Sequence, residues 1–118
     1  MFDHMMFHVA DLKKSQKFYE AALAPLGMKT KPSGKKVSFK DSSTGFSIVE
    51  GSASQHMHLA FKAHSQKEVD AFFKAAIENG GIDNGRPGPR DYVPGYYYAA
   101  FVIDPDGNNI EAAFHHDH

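Results

Sequence analysis

The sequence predicts an α+β domain made of two copies of one strand-helix-strand-strand-strand unit. Two helical stretches of similar pattern, each followed by short strand-like runs between turn residues, suggest it. A single spacing then ties the halves together. His4 and His58 are 54 apart (58 − 4), and Gly27-Met28 and Gly81-Ile82 keep the same offset (81 − 27). Phe18-Tyr19-Glu20-Ala21-Ala22-Leu23 and Phe72-Phe73-Lys74-Ala75-Ala76-Ile77 are also 54 apart (72 − 18). One offset held across a strand, a helix and a turn marks a duplicated unit. The copies span residues 1–52 and 55–114 of one domain, with 115–118 as a tail. Each copy is too small to bury its sheet without the other.

The first strand is expected over residues 2–9. Met5, Phe7 and Val9 share a face suited to a helix, and Phe2, His4, Met6 and His8 share a face suited to a cavity. Asp11 caps a helix over residues 13–23, striped by Phe18, Ala21, Ala22 and, beyond it, Leu26; Pro25 and Gly27 end it. A weak strand over 28–31 follows, then a turn at Pro32-Ser33-Gly34, a strand over 36–40, a turn over 41–45, and a strand over 46–50 closing on Glu50. Residues 51–55 link to the second copy, which opens at His58. The closing carboxylates Glu50 and Glu111 are 61 apart (111 − 50), so the second copy holds about seven more residues (61 − 54). They are placed in a loop over 84–94, rich in Gly and Pro and carrying Arg86 and Arg90. A strand over 96–103 and the turn Asp104-Pro105-Asp106-Gly107 lead into the last strand, where Glu111 stands between Ile110 and Ala112.

Composition narrows the function. At 118 residues the chain is one domain by length. A net charge of −1 from 13 basic and 14 acidic residues argues against nucleic acid or a polybasic membrane contact as partner. No apolar run approaches the roughly 20 residues of a membrane-spanning helix. The first residues carry no signal-peptide pattern. The absence of cysteine removes disulfides, thiolate metal sites and thiol nucleophiles, and makes a cytoplasmic setting the expectation.

The eight histidines point to a metal. The repeat sets His4 and His58 on matching strands and treats Glu50 and Glu111 as matching closing carboxylates. A lone strand histidine is more often a hydrogen-bonded, half-buried residue than a ligand; the paired spacing raises these two above that level. Glu111 between two apolar neighbours calls for a polar partner on its own face. Imidazole and carboxylate together suit a divalent ion: Zn, Ni, Fe, Mn or Co. Two imidazoles and a carboxylate leave coordination positions for substrate oxygens. Glu50 or Glu111 is a candidate general base. His8 lines the same wall; Tyr96, Tyr97 and Tyr98 alternate faces, so at least one can face the cavity. Arg86 and Arg90 suit a carboxylate or phosphate of a ligand, although solvated loop charges explain them equally well. His56 and His64 read as surface residues, and His115, His116 and His118 as a tail without function.

These motifs resemble the vicinal oxygen chelate superfamily of glyoxalase I, bleomycin-resistance proteins, fosfomycin-resistance thiol transferases and extradiol dioxygenases. The resemblance rests on Phe2-Asp3-His4, on Val9-Ala10-Asp11-Leu12 leading to Ser15 and Phe18-Tyr19, and on Met57-His58-Leu59-Ala60-Phe61. It is completed by Asp104-Pro105-Asp106-Gly107-Asn108-Asn109-Ile110-Glu111. It implies two tandem βαβββ modules forming a curved mixed sheet, a homodimer whose sites are completed by both subunits, and a metal on His4, His58 and Glu111 with Glu50 as fourth ligand. Three activities compete within it, since one fold hosts several chemistries. The first is a metal-dependent lyase, isomerase or transferase acting on a small molecule with vicinal oxygens. The second is a metal-free drug-binding protein whose aromatic cavity uses Phe7 or the tyrosines, Tyr98 among them. The third is an Fe(II) dioxygenase.

Overall fold

The computed structural model describes residues 4–55, 57–90 and 96–116. Each half supplies four strands and a helix. The first half holds β1 (Met6–Val9), α1 (Leu12–Leu23), a 3-10 turn (Ala24–Leu26), β2 (Lys29–Ser33), β3 (Lys36–Lys40) and β4 (Gly45–Glu50). The second holds β5 (His58–Lys62), α2 (Gln66–Glu78), β6 (Ile82–Arg90), β7 (Tyr96–Ile103) and β8 (Asn109–His116). The strands form two four-stranded sheets, ordered β1-β4-β3-β2 and β5-β8-β7-β6. In each sheet the first and last strands of the unit pair in parallel and the other neighbours are antiparallel, so both are mixed sheets of one βαβββ topology.

Local chemistry sets the helix ends. The Asp11 carboxylate accepts from the backbone N–H of Lys14 at 3.1 Å and starts α1. Gly27, at φ 88°, closes the 3-10 turn in a left-handed conformation that costs glycine little. Ser65 caps α2 through the N–H of Glu68, and the Glu68 carboxylate accepts in return from the N–H of His64. Both helices lie on the same side of their sheets. Val37, Phe39, Phe46, Ile48 and Phe7 from sheet one join Phe18, Tyr19 and Leu23 of α1 in a core that continues into Val69, Phe72, Val102, Ile110 and Ala112. Phe46 and Phe61, 5.5 Å apart between ring centres, connect the halves.

The turn over 104–108 ties the second half to the first. Asp104, 3 % exposed, accepts from the N–H groups of Asp106 and Asn108 through Oδ1, and from the Tyr19 hydroxyl of α1 through Oδ2 at 2.5 Å. Asp106 Oδ1 accepts from the N–H of Ala10 at 3.3 Å. Asn108 accepts from the N–H of Met57 and donates to the carbonyl of Ser54. The motif is thus a structural latch, and Gly107 at φ 91° allows its turn. Burial, then the adjacent Asp104 carboxylate, pushes the Tyr19 phenol well above its ordinary value. Burial is also the main reason Asp106 is raised.

Several expectations are corrected here. The strand expected over 28–31 runs Lys29–Ser33, so Pro32 and Ser33 belong to β2; Pro32 is tolerated because β2 is an edge strand. Residues 84–90 are strand rather than loop. β6 absorbs its extra residues through two register shifts, between Asp83 and Gly85 and between Gly85 and Gly88, so its prolines need not donate to a regular ladder. His115 and His116 belong to β8, and the His115 ring stacks on Tyr97 at 4.9 Å, so the tail begins later than expected. The expectations for residues 1–3, His56, residues 91–95 and residues 117–118 lie outside the described residues.

Candidate functional site

The face of the second sheet away from the helices holds His58 and Glu111. On β8, Ile110, Ala112 and Phe114 turn to the core, so Glu111, Ala113 and His115 turn the other way. On β5, Leu59 and Phe61 pack on the core, leaving His58, Ala60 and Lys62 on the open face. The parallel register sets Ala60 beside Glu111 and His58 beside Asn109. Across that register His58 Nε2 lies 2.8 Å from Glu111 Oε1. The Glu111 side chain is 7 % exposed and that of His58 53 %. A nearly buried carboxylate thus shares an imidazole that reaches solvent.

Phe101 borders this pair, and Arg90 lies over Phe101. Phe101, the register partner of Glu111 on β7, meets the His58 ring edge-on at 6.1 Å. The Arg90 guanidinium lies 5.4 Å above Phe101. It donates from Nη1 to the carbonyls of Gly88 and Pro89 and from Nη2 to that of Arg86. These bonds hold the irregular end of β6 and fix the guanidinium over Phe101. Phe101 escaped the sequence reading. Its signal was available in its strand parity, once β7 is paired with β8.

The remaining candidates go elsewhere. Glu50 Oε1 accepts from the N–H of Leu12 at 3.0 Å, so this carboxylate serves the α1 N-terminus and is not brought beside His58 and Glu111. The register explains why. Met6 pairs with Ser47 as Ala60 pairs with Glu111. Met6 and Ala60 are 54 apart (60 − 6), so the counterpart of Glu111 is Ser47, not Glu50. Glu50 is three residues further on, an odd step that carries it to the opposite face. Ser47 stands between the core residues Phe46 and Ile48 on β4, as Glu111 stands between Ile110 and Ala112 on β8. His4 stands at the start of sheet one, lining a depression of about 250 Å³ with Ser38, Lys40, Gly45 and Ser47.

Two aromatic expectations are corrected. Phe7 is 3 % exposed, stacked on Phe46 and edge-on to Tyr19, because its parity directs it to α1. Tyr98 faces α2 and donates to Asp70 at 2.7 Å; Tyr97 is the tyrosine packed on the open face, with Ala99, Ala113 and Phe101. His8 stays on the open side of β1, beside Gly51 and exposed.

Among the described residues no three His, Cys, Asp or Glu side chains gather into a metal-binding group. His58 and Glu111 supply one nitrogen and one oxygen donor of a kind that suits a divalent ion, which is half of a usual donor set.

This geometry agrees with the comparisons. The model of the Glyoxalase/Bleomycin resistance protein/Dioxygenase superfamily matches residues 1–112. The chain belongs to this superfamily. A glyoxalase/bleomycin resistance protein from Albidiferax ferrireducens T118 is 37 % identical, with a TM-score of 0.88 over 97 % of this chain and 98 % of that one. A putative glyoxalase from Bacillus halodurans, 23 % identical, aligns with a TM-score of 0.75 over 97 % and 95 % of the two chains. The fosfomycin resistance protein FosX from Mesorhizobium loti, 19 % identical, aligns at 0.72 over 97 % and 91 %. The last two establish likeness of fold alone. Comparison with curated proteins returns no match. Among the described residues no helix is long and apolar enough to cross a membrane.

Proposed function

We propose that the chain is a divalent-metal-dependent enzyme of the lyase, isomerase or transferase kind, acting on a small molecule through two neighbouring oxygens. The observation that carries this reading is the His58–Glu111 pair, 2.8 Å apart on the face that no helix covers. Among the described residues one chain brings these two donors together, and a second copy would complete the set. In the homodimer, the open face of sheet one from the partner meets the open face of sheet two and brings a second His4. Ser47, with no charge, stands where a fourth ligand would come from. A divalent ion held there supplies Lewis acidity to the substrate's oxygens. His58 and Glu111 hold it, Arg90 provides a fixed cation for an anionic part of the substrate, and Phe101 keeps the His58 ring oriented and excludes water from one side.

Metal analysis of the purified chain by mass spectrometry, with sedimentation to fix its oligomeric state, tests the proposal. Wild type is expected to take up one ion per chain as a dimer. His58→Ala and Glu111→Ala are expected to lower metal affinity by at least about 100-fold, each removing a direct ligand. Failure of wild type to bind any of Zn, Ni, Fe, Mn or Co would end this reading. The aromatic strip of Phe101 and the stacked Tyr97–His115 rings favours the drug-binding reading as second choice. It predicts affinity for a planar cationic drug that survives a chelator. The dioxygenase reading predicts oxygen uptake with catechols under Fe(II).

A further inference from the structure

The open face of sheet one has a chemistry of its own. Val37 and Phe39 point to the core, so Lys36, Ser38 and Lys40 of β3 point away from it. Residues directly opposite on antiparallel strands share a face. Lys29 is opposite Lys40, Lys31 opposite Ser38, and Ser33 opposite Lys36; on the other side Ser38 faces Ser47. Four lysines and three serines therefore occupy one face, and the strands of this sheet add no carboxylate to it. Glu50, their only acidic residue, lies on the other face. Among the described residues none of the four lysines is in an ion pair.

Lys29 and Lys31 lie on the edge strand β2, where charge keeps a sheet from pairing with another chain. That reason does not extend to β3, an interior strand. Lys40 lies directly opposite Lys29, and like charges in that position destabilise a sheet. Lys40 also borders the 250 Å³ depression that holds His4, Ser38, Gly45 and Ser47. The Ser38 and Ser47 hydroxyls lie 2.9 Å apart. One donates to the other, which leaves the second hydroxyl proton to donate outward. Gly45 keeps room for this arrangement. A Cβ there would come within 2.9 Å of Lys40 Cγ and of the Phe39 carbonyl oxygen.

We infer that Lys40, with the Ser38–Ser47 hydroxyl pair, forms an oxyanion site that binds a phosphoryl-type group, phosphate or phosphonate, of the molecule this protein acts on. Lys40, whose ammonium has three N–H groups, lines one depression with the Ser38–Ser47 hydroxyl pair of adjacent strands, a set of donors that suits a compact tetrahedral dianion. The binding site stands on sheet one alone. That its occupant is the substrate rests on the proposed function, in which this face meets the His58–Glu111 pair of a partner.

The test is a titration of the full chain with inorganic phosphate at constant ionic strength, read by amide chemical shifts, before and after treatment with a chelator. Saturable shifts are expected at Ser38, Lys40, Gly45 and Ser47, and they persist without metal. Lys40→Gln is expected to weaken phosphate about tenfold by removing a charge-assisted contact. Ser47→Ala weakens it by a smaller factor, and Lys74→Gln on α2 leaves it unchanged. The absence of saturable shifts overturns the inference. So does binding indifferent to both Lys40→Gln and Ser47→Ala, or acetate binding more tightly than phosphate. Metal uptake is measured separately on the same samples. Its loss with phosphate binding intact overturns the metal reading alone, and the reverse result overturns this site alone.

Discussion

The two halves share one topology and differ in the side chains on their open faces. On the open face of the second half, Glu111 is nearly buried and shares His58, with Phe101 against the His58 ring and Arg90 over Phe101. On the open face of the first, the matching register position is Ser47, bonded to Ser38, with Lys36 and Lys40 diagonal to it on β3. The turns before the closing strands diverge in the same manner. Asp41 and Asp104 each cap their own turn through backbone N–H groups. Asp104 is buried and also takes the Tyr19 hydroxyl. Tyr19 plus the 54-residue offset is Phe73, which has no hydroxyl to give. A duplicated backbone thus uses one aspartate as a local turn cap and the other as a bolt between its halves.

Substitutions can break this comparison in order of size. Asp104→Ala strips three hydrogen bonds from a buried position and is expected to cost about 3–5 kcal/mol, read by denaturant unfolding. A cost no larger than that of the Asp41 change would remove the distinction between bolt and cap. Tyr19→Phe makes the first half resemble the second and leaves a carboxylate oxygen of Asp104 unpaired, an expected loss of about 2 kcal/mol. It has a pH signature as well. The folded phenol is raised, so above about pH 10 the unfolded chain releases a proton that the folded chain keeps. Wild-type stability therefore falls as pH rises there, and Tyr19→Phe flattens that slope. An alkaline slope unchanged in the variant would count against a folded Tyr19 held neutral by burial and Asp104.

Asp41→Ala is the smallest effect, about 1 kcal/mol at neutral pH, because the position is largely open to water. The N–H groups of Ser43 and Thr44 hold Asp41 below the usual carboxylate range. Its contribution is therefore present above the unfolded value, near pH 4, and is lost as pH falls through the folded value. Wild type and variant should converge in acid, and a gap that stays constant would show that Asp41 acts through something other than its charge.

Much of this was legible before any coordinates. The spacing of 54 identified the duplication, Asp11 marked the start of α1, and the apolar neighbours of Glu111 placed it away from the core. Alternation is a local property of a strand, and caps and turns act over a few residues, so the chain carries these signals openly. The same rule applied to Phe46-Ser47-Ile48 points to Ser47, and matching the closing carboxylates by type led to Glu50 instead. Tertiary structure alone decided the rest. The pairing of Ala60 with Glu111, the reach of Tyr19 to Asp104 across 85 positions, and the capture of Glu50 by the N-terminus of α1 all join residues distant in sequence. No local propensity encodes such pairings. They follow from strand register and from packing two halves on one core, which exist only once the chain has folded.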